Sequence, residues 1–103
     1  MKIAITSENN QLDAKIDARF GRCSFFAIYD TATEQVDFLA NPAKESAEGA
    51  GPAAVQFIAK QGVSKIIAGE FGTKIHSLLQ GLNIEMINDQ NKTIEEIIAS
   101  LKK

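Results

Sequence analysis

The stretch "SFFAIYDTATEQVDFLA", residues 24–40, decides the fold because it sets two short strands side by side in the chain. Residues 24–30 are rich in aromatic side chains, and residues 35–40 roughly alternate between two faces, as a strand does. The connection "TATE", residues 31–34, is too short for the crossover that a parallel pair needs. The two strands are therefore predicted to pair antiparallel.

The residues before this pair complete the first half of the chain. "KIAIT", residues 2–6, is a short apolar run that polar residues soon interrupt, which predicts a buried strand rather than a helix. Residues 7–22 carry no sustained apolar period and are predicted to form a loop. The first half is therefore predicted to be a meander of three strands.

The second half alternates helices and strands. Its apolar runs predict a helix, a strand, a helix and a strand, in that order, at residues 52–61, 63–69, 73–81 and 83–88. In the first helix, Pro52 suits the first helical residue and Gly62 suits the C-terminal stop. Thr93 and Glu96 form a capping box, which predicts the start of a last helix.

The element order is therefore β-β-β-α-β-α-β-α. Two successive β-α units predict parallel strands joined by right-handed crossovers. The prediction is a single α/β domain, residues 1–103, with a five-stranded mixed sheet between two layers of helices. Strand 1 lies centrally, the strand order is 3-2-1-4-5, and strand 2 is antiparallel to the rest.

Composition argues against several classes of protein. The chain of 103 residues has a formal net charge of −2, whereas a general nucleic-acid or membrane-surface binder needs a basic face. Its one cysteine excludes an intramolecular disulfide, and a reducing cytoplasm is the compartment that such cysteine usage favours. We therefore expect a cytoplasmic protein with no nucleic-acid or membrane partner.

Residues that carry chemistry gather at one edge of the predicted sheet. Cys23 lies next to Arg22, close to Arg19, where strand 2 begins. Because strand 2 runs opposite to strand 1, Cys23 should lie near Ser7, at the carboxyl end of strand 1. Ligands of open α/β sheets favour this edge, at the point where the strand order reverses.

Two helix starts reach the same edge. "GAGP", residues 49–52, leads into the first helix, and "AGEFGT", residues 68–73, leads into the second, whose first turns carry His76. Helix N-termini offer unpaired N–H groups and partial positive charge, and glycines let the backbone approach an anion closely. The pattern indicates an anion or metal-cluster site.

The same positive field should lower the pKa of the Cys23 thiol and make it a better metal ligand. We therefore expect Cys23 to be partly accessible, as a possible metal ligand, with His76 as a weaker second one. One cysteine and one histidine are too few to enclose a metal, so a cluster must arrive preassembled or bridge two chains. Two alternatives stay open: a small-anion or nucleotide binder that uses the helix starts, and an enzyme built on the thiol.

Four segments resemble one known family. "DARFGRCSFFAIYD", "GAGPAA", "GVSKIIAGEFGTKIHSLLQGLNIEM" and "TIEEII" resemble the dinitrogenase iron–molybdenum cofactor biosynthesis proteins, which include NifX, NafY and the C-terminal domain of NifB. The resemblance covers nearly the whole chain. It implies a ribonuclease-H-like α/β/α fold, and members that bind the cofactor commonly carry His-Phe-Gly where this chain has Arg19, Phe20 and Gly21.

The resemblance implies a non-catalytic carrier for an iron–sulfur or molybdenum-containing cluster, bound transiently, that works with cofactor-assembly proteins. No enzymatic activity is expected. Residues at the predicted edge are assigned to cofactor binding; they are Ser7, Arg19, Phe20, Gly21, Arg22, Cys23, Gly49, Gly51, Gly69, Gly72 and Thr73.

Overall fold

The computed structural model describes residues 1–46 and 48–102. Ala47 and Lys103 lie outside the described residues; Ala47 belongs to the polar stretch 41–51, for which the sequence predicts a loop. The chain forms five strands and three helices. The strands are β1 (Lys2–Ser7), β2 (Phe25–Asp30), β3 (Val36–Ala40), β4 (Val63–Ala68) and β5 (Glu85–Asn88), and the helices are α1 (Ala50–Ala59), α2 (Thr73–Gly81) and α3 (Ile94–Leu101).

The sheet has the predicted topology. Its strand order is β3-β2-β1-β4-β5. Strand β2 is antiparallel to both of its neighbours, whereas β1, β4 and β5 run parallel to one another. Ser7 at the end of β1 pairs with Phe25 at the start of β2, so the segment before β2 lies at the carboxyl edge of the parallel strands, as predicted.

The strands bury both faces of the sheet. Alternation along β1 sends Ala4 into one core cluster, with residues of α1 and α2, and sends Ile3 and Ile5 into the other, with residues of α3. The α/β/α layering is therefore confirmed. Within the described residues, no helix is long and apolar enough to cross a membrane.

Two predicted boundaries of α1 were wrong. The helix begins at Ala50, two residues before Pro52, and Gly49 precedes it with a φ of 68°. Proline fits there because the first-turn N–H groups have no intrahelical partner. The helix ends at Ala59, before Gly62, whose φ of 73° turns the chain into β4.

Helix α3 is fully capped at its start, as the sequence predicted. The Thr93 hydroxyl accepts a hydrogen bond from the Glu96 N–H, and the Glu96 carboxylate accepts one from the Thr93 N–H. The hydrogen bond from the Thr93 backbone holds the pKa of Glu96 below its ordinary value. Among the described residues, no side chain caps α1 or α2 in this way.

Candidate functional site

A pocket of about 420 Å³ lies at the carboxyl edge of the sheet. The loop before β2, the start of α1 and the start of α2 form its walls. Several of the residues assigned to cofactor binding line it; they are Arg19, Phe20, Gly21, Arg22, Gly49, Gly51 and Gly72. The convergence predicted from the topology is therefore present.

The loop that carries Arg19 is tied to the end of β4. The Glu70 N–H donates to the Ala18 carbonyl at 2.8 Å, and the Gly69 N–H donates to the Asp17 carbonyl at 3.3 Å. The Arg19 N–H donates in turn to the Asp17 carboxylate at 2.9 Å. These bonds fix the backbone of the loop at the pocket wall.

Two glycines let the pocket walls meet. A Cβ on Gly21 would lie 2.9 Å from the Gly51 Cα, and a Cβ on Gly51 would lie 2.6 Å from the Ile75 Cδ1 atom. The loop before β2 can therefore press against α1, and α1 against the first turn of α2. These glycines serve close packing between segments.

Three cationic side chains line the pocket. Arg19 is 61% exposed, and its Nε atom lies 3.6 Å from an Asp17 carboxylate oxygen. Arg22 donates to backbone carbonyls of the loop before α1, those of Lys44 and Ser46. Lys74 is exposed, on the first turn of α2.

The two helices that face the pocket are uncapped. Among the described residues no side chain caps α1 or α2, and neither first turn holds an acidic residue. Lys74 even places a cation at the start of α2, where the macrodipole disfavours it. Helix α3, which does not line the pocket, has both a capping box and two acidic residues in its first turn.

The remaining assigned residues lie outside the pocket lining. The Ser7 side chain is fully buried and donates to the Asn9 carbonyl. Gly69 packs against the loop, since a Cβ there would lie 2.5 Å from the Ala18 Cα. Thr73 begins α2 with an exposed side chain. Their predicted binding roles remain predictions.

Cys23 is fully buried, so the prediction of an accessible thiol was wrong. Its Sγ donates to the Phe20 carbonyl at 3.4 Å, beneath the loop rather than within the pocket. Burial, followed by the negative charge of Asp17, raises the pKa of the thiol to about 12, so the expected thiolate environment was wrong too. Topology placed Cys23 at the correct edge, but its position in the chain did not reveal that its side chain points inward.

Cys23 should make unfolding depend on alkaline pH. The pKa of Cys23, about 12 in the folded protein, exceeds the ordinary value of 9.0, so its contribution to stability is present below about pH 9 and falls as pH rises towards 12. We expect the free energy of unfolding to fall by up to about 1.4 kcal/mol per pH unit more in the wild type than in Cys23→Ala. Urea titrations at pH 8 to 10.5 measure this difference, and parallel pH profiles would contradict it.

His76 is exposed on α2 and lies edge-on to Phe71, with ring centroids 6.2 Å apart. It is not part of the pocket lining. Within residues 1–46 and 48–102, no group of three or more His, Cys, Asp or Glu side chains is arranged to hold a metal ion. The metal roles predicted for Cys23 and His76 remain untested predictions, and Cys23 would first have to be uncovered and deprotonated.

Sequence reasoning missed other lining residues. Ala50, Pro52 and Ile75 fill the walls, and Lys74 and Glu70 add charges of opposite sign. Lys74 had a signal in the sequence, because a lysine in the first turn of a helix opposes the helix macrodipole, which favours acidic residues there. Glu70 lay inside the quoted turn "AGEFGT", but only Gly69, Gly72 and Thr73 of that turn were assigned.

Comparison with known proteins gives a consistent result. The family model described as "Dinitrogenase iron-molybdenum cofactor" matches residues 1–103. The apo form of the orange protein from Desulfovibrio gigas has a TM-score of 0.91 and 31% sequence identity, covering 97% of this chain and 85% of that chain. No match was found among curated proteins.

Other solved structures share the fold. The NMR structure of a candidate NifB protein from Thermotoga has a TM-score of 0.84 and 29% identity, covering 97% of this chain and 85% of that one. A candidate dinitrogenase from Methanocaldococcus jannaschii has a TM-score of 0.69 and 19% identity, covering 99% and 88%. At that lower identity the likeness shows the fold alone.

Proposed function

The chain belongs to the dinitrogenase iron–molybdenum cofactor family, and we propose on that premise that it is a non-catalytic carrier for an anionic metal–sulfur cluster. The cargo is an iron–sulfur or molybdenum-containing cluster, or a precursor of one. The chain holds it transiently for cofactor-assembly proteins in a reducing cytoplasm. The pocket between the two uncapped helices is the proposed binding site.

One observation carries this proposal: both helices that face the pocket leave their first N–H groups without a side-chain cap in the described part of the chain. Such N–H groups with a helix dipole behind them bind anions. Lys74 adds a cation in the first turn of α2, where a cation does not stabilise the helix. The arrangement costs local stability and favours a bound anion.

The donor set of the pocket accounts for transient binding. Its lining offers backbone N–H groups and the side chains of Arg19, Arg22 and Lys74, which contact an anion through hydrogen bonds and charge. These groups do not form metal–ligand bonds. A cluster that is already complete, with its own sulfide, suits such a site, and it can leave without breaking a bond to the protein.

Reconstitution tests the proposal. We expect anaerobic incubation with iron, sulfide and molybdate, followed by desalting, to leave metal and visible absorbance with the protein. Higher salt should release both, because the Debye length shortens from ~8 Å at 0.15 M salt to ~3 Å at 1 M, so that charge contacts are screened more strongly. Absorbance and metal analysis of the protein peak measure this, and metal that elutes apart from the protein at low salt would contradict the proposal.

The Cys23→Ala variant separates the alternatives. The thiol lies beneath the loop and outside the pocket lining, so we expect the variant to retain the cluster. An enzyme built on Cys23 would instead lose turnover of a thiol-sensitive substrate. The second candidate, a small-anion or nucleotide binder, also uses the helix starts; it would bind phosphate compounds in both proteins and retain no metal.

A further inference from the structure

One carboxylate, that of Glu70, lines the pocket together with the cations Arg19, Arg22 and Lys74. Its side chain is exposed. Within residues 1–46 and 48–102, Glu70 forms no ion pair, whereas Arg19 is paired with Asp17. The charge of Glu70 is therefore not neutralised by a neighbour and acts on whatever occupies the pocket.

The position of Glu70 is fixed by its backbone. Its N–H donates to the Ala18 carbonyl at 2.8 Å, and Glu70 forms an isolated parallel bridge with Arg19. The preceding Gly69 is buried against Ala18, where no larger residue fits. The backbone of Glu70 is thus held beside that of Arg19, the most exposed of the pocket arginines, and its side chain lines the same pocket.

We propose that Glu70 sets the charge preference of the pocket and keeps its anionic ligand exchangeable. This inference rests on the proposed function and concerns the same site. By placing a negative charge among the three cations, Glu70 lowers the affinity for every anion, and most for those of highest charge. It thereby reduces the preference of the pocket for highly charged anions and leaves a compact anion held reversibly, so that it can be passed to another protein.

The sign of the effect separates this role from two others. A carboxylate that repels the ligand makes Glu70→Gln bind more tightly. A carboxylate that contacts the metal makes the same variant bind less tightly. A carboxylate that only covers the surface leaves affinity unchanged.

The size of the effect follows from Coulomb's law, in which energy is proportional to ligand charge. The fold-change in affinity for a dianion should therefore be the square of that for a monoanion of the same shape. For an exposed group a few ångströms from the ligand we expect roughly a 2- to 3-fold gain for a monoanion and about a 4- to 9-fold gain for a dianion.

Perrhenate and molybdate supply the matched pair of probes, since both are tetrahedral oxoanions and their charges are −1 and −2. Titration calorimetry of the wild type and Glu70→Gln with each probe measures the two ratios, and tetrathiomolybdate measured by absorbance extends the test to a sulfide. Glu85→Gln is the control, because it makes the same change in net charge from the opposite end of the sheet. Stopped flow should show slower dissociation of tetrathiomolybdate from Glu70→Gln.

The result expected is tighter binding by Glu70→Gln alone, larger for molybdate than for perrhenate, and reduced at high salt. Equal affinities in Glu70→Gln and Glu85→Gln, or weaker binding by Glu70→Gln, would overturn the inference, whereas retention of the reconstituted cluster by the wild type would still uphold the proposed function. If the wild type and Glu70→Gln both fail to bind molybdate and tetrathiomolybdate at millimolar concentration, the proposed function and the inference fall together.

Discussion

Replacing Asn41 with leucine is expected to lower the free energy of unfolding by roughly 2–4 kcal/mol, because buried polar groups lose their partners. Asn41 is only 6% exposed. Its amide donates to the carbonyls of Gly21 and Cys23, at 3.1 and 3.0 Å, and its oxygen accepts from the Ala43 N–H at 3.0 Å. Leucine has a similar size and removes all three bonds.

The same substitution should loosen the pocket. Asn41 directly follows β3, and its side chain ties this end of β3 to the loop before β2. In that loop, Gly21 packs against the start of α1. Once the amide is gone, nothing in the side chain at position 41 holds the Gly21 carbonyl. We therefore expect weaker binding of tetrathiomolybdate by the folded protein, in addition to the loss of stability.

Urea unfolding followed by circular dichroism measures the stability change. Asn10→Leu is the matched control: Asn10 is exposed in the loop after β1, and a surface change of this kind alters stability by about 0.5 kcal/mol or less. If Asn41→Leu unfolds at the same urea concentration as Asn10→Leu, the three hydrogen bonds do not contribute as described.

The fold was predictable from the sequence because short connections leave few topologies. "TATE" can join only an antiparallel pair, and the β-α units of the second half cross over with one hand. The strand order observed follows from these two rules. The error at the start of α1 came from a local ambiguity, since proline is tolerated throughout the first turn and marks the turn rather than its first residue.

The candidate site was predictable at the level of segments but not of side chains. Topology placed the loop before β2 and two helix starts at one edge, and the pocket lies there. Whether Cys23 points into that pocket or into the core depends on packing against Phe20 and Asn41, which lie 3 and 18 residues away in the chain. The chain gives no local signal for such a contact.

The structural role of Asn41 could not be predicted from the sequence either. In the sequence it is the first residue of a polar stretch before α1, where asparagine followed by proline is an ordinary turn signal. Two of its three hydrogen bonds, to the carbonyls of Gly21 and Cys23, join segments that are distant in the chain. Lys74 differs, because its conflict with the dipole of α2 is local and can be read from the sequence once the helix start is known.

Changing the charges of the pocket is expected to weaken binding of a dianion by about 100-fold, because several units of charge are altered close to the ligand. The variant is Arg19→Gln combined with Lys74→Glu. Both side chains are exposed at the pocket, so neither change opens a cavity in the core. Glutamate at position 74 should even stabilise α2 by about 0.3–1 kcal/mol, since it reverses an unfavourable interaction with the helix dipole.

The expected loss of affinity is accompanied by an expected gain in stability of α2, and this combination distinguishes a lost binding site from a damaged protein. A protein that loses binding because it is damaged unfolds more readily, whereas Lys74→Glu should bind tetrathiomolybdate less tightly and resist urea at least as well as the wild type. Lys2→Gln combined with Lys60→Glu is the matched control, because it makes the same change in net charge away from the pocket lining. Equal losses of affinity in the two double variants would mean that net charge, rather than the pocket, holds the anion. A loss confined to Arg19→Gln/Lys74→Glu, with stability retained, would locate binding between the two uncapped helices.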